Sequence, residues 1–409
     1  MRQTFLNGQK ADFLQTCQNR LILTLGRGVR RRVEWSQGSD RLDSPRGIIG
    51  DTCQELKSID RVFSKLMSYI SHDKMESIPL HRVAVLRPFT QFLADVGAPV
   101  ERGFQQTGLP VCALEDVNNY VPSHRFWTFL VNMAQSQGIE DLGFRVGHTF
   151  GADCADPHLT ALLRRSPTLF HGLLKASKLI NKTVSHCRVG FLRPLRSQHT
   201  YFFHSPSCDA RNPAIEQIGW FGLTTLLGMV RTYTGPRWQP TEIGVMTNHT
   251  PCRYIREQLP ATQIRLSQPY TYVTLDDALL SLPPFPHEAA ATALSLPHYD
   301  VLSNDFVGSL KQLLRSYIQE PDLSIEFTAA LSDASKRNLQ RKLTELGTCY
   351  SEVLDQVRFH EASRLLQDPG MKVADVSHRM GYSDPTHFSR AFRRIAGVNP
   401  QVYRRRYRH

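Results

Sequence analysis

The stretch GYSDPTHFSRAFRRIAGVNP, Gly381 to Pro400, decides how the rest of the chain is understood. Its apolar residues Phe388, Ala391, Phe392 and Ile395 recur at i, i+3, i+4 and i+7, the spacing of one face of an α-helix. Arg390, Arg393 and Arg394 lie off that stripe, with Thr386 and His387 one turn earlier. The spacing predicts a helix that buries one side and offers cations on the other. Asp384 before Pro385 predicts its start, because an Asp cap accepts orphan backbone N–H groups and Pro suits the first helical position. Gly397 and Pro400 predict its end.

Just upstream, Val373, Val376, Ser377 and Met380 have helical spacing, and that short helix runs into Gly381-Tyr382-Ser383-Asp384. A helix, a glycine-containing turn and a helix with a basic outer face form the helix-turn-helix plan. In that plan the second helix enters the major groove and its outward side chains meet base edges and phosphates. The alternative is an amphipathic surface helix with a solvated charged face. The turn residues and the basic tail of Arg404, Arg405, Arg406 and Arg408 favour the DNA-binding reading.

The segment from Lys372 to Arg404 closely resembles the C-terminal signature of the AraC/XylS family of bacterial transcription regulators. The residues that carry the resemblance are Val376, Gly381-Tyr382-Ser383, Phe388-Ser389-Arg390, Phe392, Gly397, Pro400 and Tyr403. It implies a second helix-turn-helix unit upstream, and a candidate is present. Ser335 to Leu343 has helical spacing, with Leu339, Leu343 and Leu346 inward and Arg337, Gln340 and Arg341 outward. Ser335 can cap that helix and Gly347 can end it, with Ile325 to Leu331 as the supporting helix. This unit departs from the family pattern at Ser332, usually apolar, and at Asp333, where Gly is common; both bear on how tight its turn is. Between the units, Val353, Leu354, Val357, Ala362 and Leu365 make Tyr350 to Leu366 a rigid connecting helix. Two recognition helices on one rigid body could meet successive major-groove turns, roughly 34 Å apart. The implied DNA contacts are Lys336, Arg337, Gln340 and Arg341 from the first unit, and Thr386, His387, Ser389, Arg390, Arg393 and Arg394 from the second.

Composition agrees. With 409 residues, two or three domains are expected, and 41% hydrophobic residues supply ordinary cores. The net charge is +12, and from Arg379 onward the chain carries eight arginines and one acid, Asp384. Such clustering suits a polyanion partner. No segment reaches the roughly 18 apolar residues of a spanning helix; Ile218 to Val230 comes nearest, interrupted by Thr224 and Thr225. Leu21 to Leu25 is too short an apolar run for a signal peptide, and Arg27 to Arg32 follow it. The eight cysteines (Cys17, Cys53, Cys112, Cys154, Cys187, Cys208, Cys252 and Cys349) show no C-x-x-C spacing, which suits free thiols in a cytoplasmic protein with no membrane partner.

Residues 75–281 alternate helical and strand-like text. Helical periodicity appears in Arg82–Val96, Ser123–Gln137, Leu169–Val184 and Ala214–Tyr233; strand-like runs are Cys187–Leu195, Thr200–His204, Glu242–Met246 and Thr271–Leu275. The expected architecture is an α+β N-terminal ligand-binding domain followed by an all-α C-terminal domain with two helix-turn-helix units joined by a linker helix. The order of elements in 75–281 resembles the effector domain of the ornithine-utilisation regulators within the AraC family. That resemblance implies a small-molecule sensor that can also form a homodimer, and an activator working with RNA polymerase on promoter DNA. Arg188, Arg193, His199 and Tyr201, with His204, are the strand residues that could meet an amino acid or another carboxylate, because Arg pairs with carboxylates in a bidentate fork. Residues 282–303, rich in Pro and Ala, predict a linker, and 304–409 the DNA-binding domain. Residues 1–74, with Arg30-Arg31-Arg32 and little periodicity outside Ile59 to Ile70, predict an extension, either a disordered arm or a segment the cell does not translate.

Enzyme readings are weaker. Pro251-Cys252-Arg253-Tyr254-Ile255 is faintly similar to the nucleophile of alkylguanine-DNA methyltransferases, some of which are fused to AraC-type modules. That chemistry requires a thiolate activated by an adjacent His, and here Arg253 follows the cysteine. Asp153-Cys154-Ala155-Asp156-Pro157-His158 lacks the second ligand pair of a zinc module and predicts a loop. No Gly-x-Ser-x-Gly elbow or Walker-type loop occurs, so no catalytic residue, metal or cofactor is expected.

Overall fold

The computed structural model describes residues 77–154, 156, 158–185, 187–194, 199–206, 208, 212–286, 301–320 and 322–407. The expected extension 1–74, most of the Pro- and Ala-rich linker, and Arg408 lie outside the described residues.

Leu80–Arg82 (β1) and Tyr120–Pro122 (β2) form an antiparallel ribbon with His81 opposite Val121. Helices Val83–Asp95 (α1) and Val100–Thr107 (α2) lie between them in sequence. Ser123–Gln137 (α3), Leu142–Phe150 (α4), Leu159–Arg164 (α5) and Leu169–Thr183 (α6) follow. A five-stranded sheet is then built from Cys187–Leu192 (β3) and Thr200–Pro206 (β4), with the long helix Ile215–Thr234 (α7) after them. Glu242–Gly244 (β5), Arg253–Gln258 (α8), Gln263–Arg265 (β6) and Thr271–Leu275 (β7) complete it in the order β3-β4-β7-β5-β6. All its pairings are antiparallel except β5 with β6. Trp220, Leu223 and Leu227 of α7 and Phe202 and Val273 of the sheet share one core. The α+β expectation is met, with the expected β3 shortened to Leu192, β4 extended to Pro206 and β5 shortened to Gly244.

Helix α4 is absent from the periodicity because its sequence carries Gly143 and Gly147, residues of low helix propensity. A Cβ at Gly143 would collide with the Gln217 backbone, and one at Gly147 with the Thr224 side chain. The glycines therefore let α4 lie directly on α7, and the tertiary contact overrides local propensity.

The C-terminal part is all-α: Phe306–Ser316 (α9), Ile325–Leu331 (α10), Lys336–Glu345 (α11), Tyr350–Leu366 (α12), Val373–Arg379 (α13), Pro385–Ala396 (α14) and Pro400–Tyr407 (α15). Its core gathers Leu310, Leu314, Leu339, Val353, Phe388 and Phe392, and it also takes in Ile78, Leu80 and Tyr120 from the N-terminal ribbon. The seam is bonded as well as packed. Ser309 Oγ accepts the Ile78 N–H and Ser316 Oγ accepts the Tyr120 N–H, each at 2.9 Å, and Tyr317 Oη donates to the Gly108 carbonyl at 3.1 Å. Among the described residues no helix is long and apolar enough to cross a membrane.

Candidate nucleic-acid interface and effector cavity

Each recognition helix begins at a side-chain cap. Ser335 Oγ accepts the Asn338 N–H at 3.2 Å, and Asp384 Oδ1 accepts the Thr386 N–H at 2.7 Å with Pro385 at the first position. These bonds to the charged form hold the Asp384 carboxyl below the usual carboxylate range. The caps fix where each helix starts, and hence which side chains lie in its first turns. Helix α14 ends at Gly397 in the left-handed region, φ 72°, as the sequence predicts.

In α11, Leu339 and Leu343 are buried while Lys336, Arg337, Gln340 and Arg341 are exposed. In α14, Phe388 and Phe392 are buried, Thr386, His387, Arg390, Arg393 and Arg394 are exposed, and Ser389 is half-buried. Two apolar expectations are corrected. Leu346 follows the last residue of α11 and is 49% exposed, and Ile395 in the last turn of α14 is 41% exposed. Both periodic patterns run past the point where the helix leaves its support. In the linker helix, Leu366 rather than Leu365 is the buried residue of the last turn, beside Val353, Leu354, Val357 and Ala362.

The cations divide by their partners. Lys336 pairs with Glu326 of the supporting helix and Arg341 with Glu345, both at 2.5 Å. Arg394 pairs with Asp355 of the linker helix. Arg337, Arg390 and Arg393 have no hydrogen-bond or ion-pair partner among the described residues. Arg404, which the sequence placed in the basic tail, is half-buried and donates to the Leu366 and Met371 carbonyls at 3.2 and 2.5 Å, so it fastens α15 to the end of α12. Helix α12 braces the second unit further: the Arg358 guanidinium lies 4.7 Å from the Tyr382 ring centre, and the Phe359 and Phe392 rings are 5.1 Å apart.

The turns differ in chemistry. Gly381 closes the second unit at φ 75°, whereas in the first unit Asp333 itself adopts φ 52°. The first turn is thus tight despite lacking glycine, and Asp is among the few residues that tolerate that region.

In the N-terminal domain a cavity of about 60 Å³ lies between the ribbon, α3, the α6–β3 corner and α7. His81, Trp127, Ser185, Thr225 and His204 are among its polar lining residues, and among the described residues no Arg, Lys, Asp or Glu lines it. Of the strand residues singled out from sequence, only His204 reaches it. Val189 and His204 are register partners on the cavity face, so Arg188 and Tyr201, at odd offsets from them, project from the other face of the sheet. Tyr201 stacks on Tyr272 with ring centres 4.3 Å apart, Arg193 pairs with Asp277 at 2.9 Å, and His199 with Asp276 at 2.7 Å. Sequence periodicity could not have found His81, because a three-residue strand carries too few positions to show alternation.

The alkyl-transfer reading of Cys252 fares poorly. Its thiol donates to Asp141 Oδ2 at 3.3 Å, and burial together with that carboxylate raises its pKa, the reverse of an activated nucleophile. Cys154 in the candidate metal loop contacts Thr225, and among the described residues no three His, Cys, Asp or Glu side chains gather as metal ligands would.

Comparison with known proteins gives two matching family models. Residues 328–406 match a helix-turn-helix domain, and residues 97–284 match the arabinose-binding domain of AraC transcription regulators. An uncharacterised helix-turn-helix-type transcriptional regulator of Mycobacterium tuberculosis is 30% identical over 159 residues, 38% of this chain and 46% of that protein. The ornithine utilization regulator of Pseudomonas aeruginosa is 38% identical over 84 residues, 20% of this chain and 24% of that one. A transcriptional activator of Rhodococcus is 31% identical over 96 residues, 24% of this chain and 29% of that one. The chain thus spans less than half the length of these relatives, all of which are named as regulators or activators.

Proposed function

Because the chain belongs to the AraC family of transcription regulators, we propose that it binds promoter DNA through α11 and α14 and activates transcription in response to a small molecule held by its N-terminal domain. The single observation that carries the DNA-binding part is the set of exposed cations with no hydrogen-bond or ion-pair partner among the described residues, Arg337, Arg390 and Arg393, on two capped helices braced by one linker helix. The Rhodococcus relative's name as an activator supports the positive sense of control, and with it a contact to RNA polymerase. A cytoplasmic location follows from that role, and a homodimer is the proposed assembly. The DNA-binding domain on this reading is 304–409, the effector domain 75–281.

The two ends of α14 are proposed to do different work. Arg390 lies in the half that reaches into the groove, and its fork geometry suits a guanine edge, a contact worth roughly 1–3 kcal/mol of discrimination. Arg390→Ala should relax preference at one base position in a binding-site selection while the melting curve stays unchanged. Arg394 sits later and shares its charge with Asp355. Arg394→Ala should weaken binding to all sequences and lower the salt slope by about one unit. Asp355→Ala, which releases Arg394, should leave affinity equal or higher. Were Arg394 only a fastener, both variants would lose affinity together. An Arg390→Ala protein with unaltered base preference would remove Arg390 from the interface.

A further inference from the structure

The polar atoms around the cavity can be accounted for one by one. Ser185 Oγ accepts the Leu80 N–H at 2.5 Å and donates to the Leu80 carbonyl at 2.9 Å. Thr225 Oγ1 donates to the Phe221 carbonyl at 2.9 Å, and His81 Nδ1 shares a proton with Ser123 Oγ at 2.7 Å. Two buried nitrogens are left over. Trp127 Nε1 and His204 Nδ1 are buried with no hydrogen-bond partner among the described residues. An indole N–H can only donate, and leaving a buried donor unsatisfied is costly. The His204 imidazole is neutral, since burial depresses its pKa to about 4, and Gly222 makes room for it: a Cβ there would collide with Nδ1. The rest of the wall is apolar, including Val85, Phe126, Leu130, Ile180 and Met229.

We infer that this cavity is the effector site, and that it takes a small, uncharged, mainly apolar molecule bearing one carbonyl or hydroxyl oxygen, held by Trp127 Nε1 and His204. This rests on the reading that the N-terminal domain senses a small molecule. An amino acid or carboxylate would bury its charge with no cation beside it among the described residues, a far larger cost than burying an uncharged polar group. The cations that might have compensated, Arg188 and Arg193, face elsewhere or pair with Asp277. At about 60 Å³ the cavity is smaller than one that holds a benzene-sized ring, roughly 150 Å³, so a ring or short branched chain enters only as the flexible Met229 side chain yields space. The site is also wired to the DNA-binding domain. His81 lines the cavity, its neighbour Leu80 belongs to the core around α9, and the paired strand's Tyr120 N–H is held by Ser316. A ligand that moves His81 therefore moves the seam.

The test is a thermal-shift series on the full chain with phenol, benzyl alcohol and cyclohexanone against benzoate, cyclohexylammonium and ornithine, beside operator binding without ligand. At least one uncharged probe should raise Tm in a dose-dependent way, because a ligand of the folded state stabilises it. Trp127→Phe should bind that probe about tenfold more weakly while melting at or above the parent temperature, since it deletes an orphan donor and keeps the ring. A shift by the charged probes alone, or no shift by any uncharged probe, overturns the inference while operator binding persists. Loss of operator binding by the ligand-free protein counts instead against the regulator reading itself.

Discussion

Replacing Asp156 by Ala should destabilise the protein by roughly 3–5 kcal/mol, the usual consequence of leaving a buried charge without its counter-ion. Arg82 Nη1 and Asp156 Oδ2 are 2.8 Å apart, and the two side chains are 3% and 1% exposed. Among the described residues the other guanidinium nitrogens bond neutral acceptors: Nε donates to the Val117 carbonyl at 3.1 Å and Nη2 to Asn118 Oδ1 at 2.7 Å. Asp156→Ala therefore removes the carboxylate paired with a buried cation, and also the oxygen that accepts the His158 N–H at 2.8 Å. Asp156→Asn should cost less because it keeps one acceptor oxygen in place. An exposed pair is the control. Arg253 and Glu257, 89% and 53% exposed, should give at most about 1 kcal/mol on Glu257→Ala. Urea midpoints measure all three. Equal small losses for Asp156→Ala and Glu257→Ala would show that Arg82 finds water or another partner. Because Arg82 adjoins His81 in β1, Asp156→Ala should also blunt the response to any ligand of the cavity.

Much of the C-terminal half was legible because local rules and tertiary structure agree there. Asp384, Pro385 and Gly397 fix the ends of α14, and Phe388 and Phe392 fix its buried side, all from residues within one short stretch. Patterns failed at helix ends, where Ile395 and Leu346 keep the period after support is gone. In the N-terminal half the long helices were visible from their periodicity, but the pieces that make the cavity were not. Strands β1 and β2 are three residues each, α4 is disguised by the glycines that let it touch α7, and His81 and His204 meet from positions 123 residues apart in sequence. The strand arginines were placed at the pocket from sequence, and the structure puts them elsewhere, for a related reason. Alternation says which residues share a face, but without the packing helix it does not say which face is covered. Helix α7 covers the His204 face, so Arg188 is left on the other.

Gly381→Ala should destabilise the second helix-turn-helix unit by about 3 kcal/mol, whereas Gly397→Ala should cost only about 1–2 kcal/mol. The two glycines have nearly the same backbone, φ 75° and 72°, so the left-handed strain of a side chain is shared. Their surroundings differ. A Cβ at Gly397 meets nothing within 4 Å, while one at Gly381 lies 2.8 Å from the Ile318 carbonyl oxygen, just past the end of α9. Backbone cannot rotate away as a flexible side chain would, so either the turn or the α9 end must shift. The turn is held by the Gly381 N–H to the His378 carbonyl at 2.9 Å and the Tyr382 N–H to Ser377 at 3.1 Å, and moving it re-aims the start of α14. Asp333 shows that left-handed strain alone is tolerable in this domain, since the first unit carries it at φ 52°. What forbids a side chain at 381 is therefore the close approach of Ile318. DNA affinity should follow: Gly381→Ala should lose sequence-specific binding at temperatures where Gly397→Ala retains it. Equal melting losses for the two variants would mean that the Ile318 backbone yields freely, and that the second turn is not anchored on α9.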